Sequence, residues 1–142
     1  MENKDSKYCG CLFYSANALA RTITKMAEEE FKIVGLAPSY AFLLMTVNDK
    51  PGIQPKEISQ IMMLTPSTIT RLIEKMEFKD YLNKEQDGKF TKVYPTEKSK
   101  KLNNKIHQAW ENLFSNYSNI LGNKNAVKLT SDIYQAAKKI AD

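Results

Sequence analysis

Leu64-Thr65-Pro66-Ser67-Thr68-Ile69-Thr70-Arg71-Leu72-Ile73-Glu74-Lys75-Met76 decides how the rest of the chain is read. Thr65 is a good N-cap, and Pro66 suits the first helical position because the N–H it lacks would find no partner there. Apolar Ile69, Leu72, Ile73 and Met76 follow at i, i+3, i+4 and i+7, which predicts an amphipathic helix over 66–78. Its outward face carries Ser67, Thr68, Thr70, Arg71 and Lys75. Short hydroxyls near the start and cations further on suit a helix that enters a DNA major groove between two phosphate walls. A helix that is only solvated there would more often carry paired Glu and Lys.

Working outward, Gln54-Pro55-Lys56-Glu57 opens a shorter helix in which Ile58, Ile61 and Met62 can face inward, and Met63-Leu64-Thr65 is the turn between the two. Two short helices joined in this way make a helix-turn-helix. Downstream, 81–84 and 90–94 are rich in aromatic and β-branched residues and flank Glu85-Gln86-Asp87-Gly88-Lys89, a hairpin signal through its Asp-Gly. The predicted unit is helix, turn, helix and a two-stranded wing.

These residues carry a family resemblance. Gly35-Leu36-Ala37-Pro38-Ser39 and the run Ile58 to Thr70 resemble the corresponding segments of the multiple antibiotic resistance regulator (MarR) family of bacterial winged-helix transcription factors. The resemblance spans nearly the whole chain. It implies a mainly α fold with a small β-wing, in which a winged helix-turn-helix (36–95) joins a helical dimerisation region (8–34 and 96–141) in a single domain over 1–142. The wing departs from the pattern: Asp87-Gly88-Lys89 keeps an Asp, has Lys for the usual Arg, and sits on a hairpin about three residues shorter. Pro95-Thr96-Glu97-Lys98-Ser99 replaces the family's Leu-Thr-x-x-Gly.

The 142 residues suffice for one compact domain, and 42% hydrophobic residues fit a real core or a large subunit interface. Net charge is +5, and residues 54–105 hold 11 Lys/Arg against 7 Asp/Glu, so four of the five excess charges fall on the winged segment and the helix after it. That is the expected footprint on phosphates. No run reaches the ~18 apolar residues of a membrane span. Residues 1–20 imitate a signal peptide, but their mixed charges and the helical period that continues past the supposed cleavage site point to a cytoplasmic protein.

Residues 8–34 read as one long helix with Leu12, Ala16, Leu19, Ile23 and Met26 on a stripe, closed by Gly35. Leu36–Asn48 reads as a buried helix starting near Pro38. Thr96 caps a second long helix carrying Leu102, Ile106, Ala109, Trp110, Leu113 and Tyr117. Gly122-Asn123 breaks it, and a last helix carries Ala126, Leu129, Ile133 and Ile140. Both chain ends thus bring apolar stripes too long for the winged unit to cover, which predicts a homodimer.

His107 is the only histidine, so catalysis and metal sites built on several His have little to draw on. No glycine-rich phosphate loop appears; an enzyme, a cofactor and a metal are not expected. Cys9 and Cys11 could form a thiol sensor, a soft-metal site or two small core residues. On a regular helix, positions i and i+2 point to nearly opposite sides, so the pair cannot close a disulfide unless the helix start frays. Some members of the resembled family sense peroxide with a first-helix cysteine, whose position aligns here with Phe13.

The reading that emerges is a dimeric regulator of transcription, a repressor by expectation, on double-stranded DNA. Ser67, Thr68, Thr70 and Arg71 are the candidates for base or phosphate contacts, and Gln54, Lys56, Lys75, Lys84, Lys89 and Lys92 for phosphate anchoring. The resemblance further implies a crevice for a small aromatic or anionic effector, which Tyr14, Arg21, Tyr40 and Trp110 could line. The alternatives are a winged-helix protein-interaction module without DNA binding, or a regulator driven by oxidation of Cys9 or Cys11.

Overall fold

The computed structural model describes residues 5–142. Six α-helices and one hairpin follow in the order α1 (Leu12–Glu30), α2 (Pro38–Asp49), α3 (Pro55–Met62), α4 (Pro66–Phe78), β1 (Leu82–Asp87), β2 (Phe90–Pro95), α5 (Glu97–Leu121) and α6 (Asn123–Ala141), with a 3-10 turn at Phe31–Ile33. The mainly α architecture with a small β-wing is as the sequence predicts.

Three helices start on proline at the first position, α2, α3 and α4, and each preceding residue is extended, as a residue before proline must be. Thr65 caps α4 through its side chain, which accepts from the Thr68 N–H at 3.4 Å, and Thr96 caps α5 by accepting from the Ser99 N–H at 3.3 Å. The inner faces of these helices meet in one core. Leu43, Leu44 and Val47 of α2, Ile58 of α3, Ile69, Ile73 and Met76 of α4, Leu82 and Val93 of the wing, and Ile106 and Ala109 of α5 are all buried. An aromatic chain fastens the end of α1 to this core: Phe31 lies 5.7 Å from Phe42, which meets Trp110 edge-on at 6.1 Å. Asn48 adds a polar tie, donating to the buried Ser99 hydroxyl at 3.0 Å and to the Leu44 carbonyl at 2.9 Å.

Four expectations are corrected. The first helix does not cover 8–34: residues 7–10 form turns, with the Cys9 N–H donating to the Ser6 carbonyl and the Cys11 N–H to that of Tyr8, and α1 begins at Leu12. Gly10 explains the delay, since glycine gives up more freedom than any other residue on entering a helix. Cys9 and Cys11 consequently lie outside the helix, both exposed, which removes their reading as core residues. Ile61 of α3 faces solvent while Ile58 is fully buried, because the inner face of this helix continues from Ile58 to Met62 at i+4 and leaves Ile61 at its edge. In the wing, Asp87 pairs with Phe90 in the ladder and the two-residue turn is Gly88-Lys89, one residue later than Asp-Gly suggests. Gly88 takes φ +63°, as a II′ turn demands at its first central position.

α5 also departs from expectation, because the middle of its stripe is buried within the chain, at Ile106, Ala109 and Leu113. The apolar surface that stays exposed lies instead at the first half of α1, the end of α5 and α6. In α6 only Ala126 is buried, while Val127, Leu129, Ile133, Tyr134 and Ile140 are exposed.

Candidate nucleic-acid interface

The turn between α3 and α4 is fixed from both sides. Met63 adopts a left-handed conformation, φ 55° and ψ 43°, which reverses the chain, and Ser59 holds the result: its backbone carbonyl accepts from the Leu64 N–H at 3.2 Å and its hydroxyl donates to the Leu64 carbonyl. On the other side Ile53 bridges Val93, whose N–H donates to the Ile53 carbonyl at 3.0 Å, so the entry to α3 is stitched to the wing. Gly52 is required there. At φ +88° a Cβ on this residue would lie 3.3 Å from the Tyr94 hydroxyl.

α4 presents its other side to solvent. Ser67, Thr70, Arg71 and Lys75 are exposed and Thr68 is half-buried. The hydroxyls near its start form a cluster, with Thr65 Oγ1 2.9 Å from Thr68 Oγ1 and 3.3 Å from Ser67 Oγ, while Thr70 Oγ1 donates to the Pro66 carbonyl at 3.0 Å. Hydroxyl rotors can exchange such local bonds for an external acceptor. Thr70 and Lys84 also line one small cleft, with Pro55, Ile73 and Thr91, where α3, α4 and the wing meet.

The cations differ in how free they are. Among the described residues Arg71, Lys56, Lys75 and Lys89 enter no ion pair, although Lys75 Nζ sits 5.8 Å from the centroid of the Tyr40 ring. Lys84 Nζ lies 3.4 Å from Glu77, and Lys92 Nζ lies 2.8 Å from Asp87. The hydrogen bond and charge of Lys92 hold the Asp87 carboxyl below the ordinary carboxylate range, and Asp87 in turn raises Lys92. Both lysines must share or exchange an acidic partner to take a phosphate. Gln54 is exposed as the N-cap of α3 and makes no side-chain capping bond.

Sequence reading overlooked Phe78. It stands seven residues after Arg71, hence on the same stripe of α4, and is 89% exposed. The i+7 spacing was the available signal. Phe90, exposed at the wing tip beside Lys89, was passed over as an ordinary strand residue.

The four candidate effector residues do not converge within one protomer. Trp110 packs against Phe42 and Tyr40 lies under Lys75, whereas Tyr14 stacks on Tyr8 at 4.5 Å, and seventeen residues of helix put it roughly 25 Å along the axis from Phe31. Arg21 is exposed midway along α1.

Residues 36–89 match the model of the MarR family. Over 87 residues the chain is 30% identical to YybA, an uncharacterized HTH-type transcriptional regulator of Bacillus subtilis, a match covering 59% of this chain and 58% of that relative. It is 26% identical over 116 residues to the HTH-type transcriptional regulator SarZ of Staphylococcus epidermidis, covering 80% and 76%. The fold is similar to that of a MarR-family transcriptional regulator from Listeria monocytogenes solved with 26mer DNA, with a TM-score of 0.76 at 22% identity over 99% of this chain and 91% of the other.

Proposed function

We propose that this chain, whose residues 36–89 match the MarR family model, is a winged-helix transcriptional regulator of that type, and that it binds double-stranded DNA with sequence specificity, as a homodimer, and represses transcription. The observation that carries the reading is the division of α4. Ile69, Ile73 and Met76 fix its inner face in the core, while Ser67, Thr70 and the unpaired Arg71 stand on the outer face, within the segment that holds most of the excess positive charge. A rigidly held helix with free donors can read base edges, since the ordering of its backbone is already accomplished before DNA arrives.

In this reading α4 of each protomer enters a major groove, Lys56 and Lys89 neutralise phosphates, and the two α4 helices fall in successive grooves, about 10 base pairs apart. An aromatic or anionic effector acts by binding the dimer in a spacing that no longer fits DNA, and tenfold release needs about 1.4 kcal/mol of differential affinity. Tyr40 and Trp110 are the aromatic surface for it, and Arg21, which does not join them within one protomer, is its cation only in the dimer.

The test is a gel-shift and footprint on the DNA upstream of the chain's own reading frame. Two protected half-sites about one helical turn apart, resistant to a large excess of unrelated DNA, are expected. Equal affinity for unrelated DNA overturns the specific-regulator reading, and the absence of any DNA binding leaves the winged unit as a protein-interaction module. Titration of the complex with salicylate-like acids then tests the effector: unchanged affinity removes the role given to Tyr40, Trp110 and Arg21.

A further inference from the structure

Cys9-Gly10-Cys11 stands apart from everything used so far. Both thiols are exposed and free, Cys9 in the turn before α1 and Cys11 as the extended N-cap residue of that helix, rather than within the helix that the sequence period suggests. Two consequences follow from the backbone. Their separation to opposite helix faces does not apply, and two residues of chain limit the Cα atoms to about 7 Å apart even at full extension. Gly10 between them has nothing within 4 Å of where a Cβ would sit, so the turn can adjust without a clash. The aromatic stack of Tyr8 on Tyr14 folds over the same turn, and the Ser15 hydroxyl donates to the Cys9 carbonyl at 3.1 Å, tying the turn to the first residues of α1.

We propose that Cys9 and Cys11 form an intrachain two-thiolate site for a soft monovalent cation of the Cu(I) class. Ligand number selects the metal. No group of three or more Cys, His, Asp or Glu assembles among the described residues, so the four-coordinate sphere of structural zinc is lacking, whereas Cu(I) accepts two soft thiolates. Geometry selects a bridging metal over a disulfide: a disulfide must bring the sulfurs to about 2.05 Å within an eleven-atom ring, while two metal–sulfur bonds of roughly 2.3 Å leave them far further apart. In the binding step each S–H gives up its proton, two metal–sulfur bonds form, and neither copper nor sulfur changes oxidation state.

Full-length protein, reduced and kept free of oxygen, is titrated with Cu(I) against bicinchoninate, a chromogenic Cu(I) chelator. One Cu(I) per chain is expected to be withdrawn from the chelator. Cys9→Ser and Cys11→Ser should each weaken retention at least 100-fold with unchanged circular dichroism, since neither side chain is packed. Zn(II) should not be held. Failure of the wild type to compete, retention by either single variant, or one Cu(I) per two chains overturns the intrachain site; the DNA gel-shift on metal-free protein reports separately on the regulatory reading.

Discussion

At the residue scale Arg71 and Lys89 are both free cations on the exposed side of the winged unit, yet their surroundings assign them different work. Arg71 projects from a helix whose inner face is locked, so its guanidinium can be aimed; Lys89 sits in a hairpin turn and can only follow a phosphate. Arg71→Ala should cost ~1–3 kcal/mol of operator binding and relax preference at one base position. Lys89→Ala should weaken binding evenly across sequences and lower the salt slope by ~1. Fluorescence anisotropy on wild-type and single-base-variant operators separates the two patterns. The Asp87–Lys92 pair carries a pH signature in the wing. Asp87 is depressed in the folded state, so its contribution is present above the ordinary carboxylate value of 3.8 and is lost as pH falls through the lower folded value. Lys92 is raised, so its share is present below 10.5 and lost as pH rises through the higher folded value. NMR titration of the Asp87 carboxyl carbon should therefore show its step below the ordinary carboxylate value and that of the Lys92 side chain above the ordinary lysine value; Asp87→Asn should return the Lys92 step toward the ordinary value. The exposed donors of α4 were legible from periodicity alone. The pairing of Lys84 with Glu77 and of Asn48 with Ser99 was not, because each contact joins two different elements, β1 with α4 and α2 with α5, and no local rule encodes how elements meet.

At the element scale the legible parts were those with strong local punctuation. Thr65-Pro66, Gln54-Pro55 and Thr96 carry cap chemistry in two or three residues, and those helix starts came out where expected. The α3–α4 turn was placed correctly, but the residue that makes it was hidden, since Met63 has no conformational signature of its own. A left-handed non-glycine residue is held by its surroundings, here by Ser59 bonding Leu64 twice. Two substitutions probe this. Met63→Val places a branched Cβ where φ is positive and should destabilise the fold by ~1–2 kcal/mol. Met63→Gly relieves the left-handed cost but loosens the unfolded chain, so stability should change by less than about 1 kcal/mol. Urea denaturation reads both, and equal losses would mean that Met63 matters through packing rather than backbone. The start of α1 was misplaced because hydrophobic period continues upstream of it while Gly10 and the turn bonds at Ser6 and Tyr8 interrupt the backbone; periodicity reports side chains only.

At the scale of the whole molecule, burial is divided unevenly. The winged unit and the middle of α5 enclose the core, whereas Leu12, Phe13 and Tyr14 of α1, Phe114 and Ile120 of α5, and Val127, Ile133 and Tyr134 of α6 remain exposed. Trp110, Phe114, Tyr117, Val127 and Tyr134 line an open groove of about 740 Å³ between α5 and α6. Apolar side chains exposed over three helices favour association, since burying them stabilises by about 25 cal/mol per Å2. A two-fold pairing uses the same surface on both protomers and so covers both sets at once. Ile133→Glu is the sharp test, since Ile133 belongs to no core contact within the chain and its replacement leaves the protomer intact. A carboxylate desolvated twice across the two-fold axis should shift sedimentation from dimer to monomer at micromolar concentration. Operator affinity should then fall by at least tenfold, because each half-site loses the high effective concentration supplied by its tethered neighbour. The melting temperature of the wild type should rise with protein concentration and that of the variant should not. A wild type that sediments as a monomer at these concentrations, or an Ile133→Glu variant that keeps the wild-type mass, would place the exposed stripes outside the subunit interface and remove the two-fold geometry on which successive-groove binding depends.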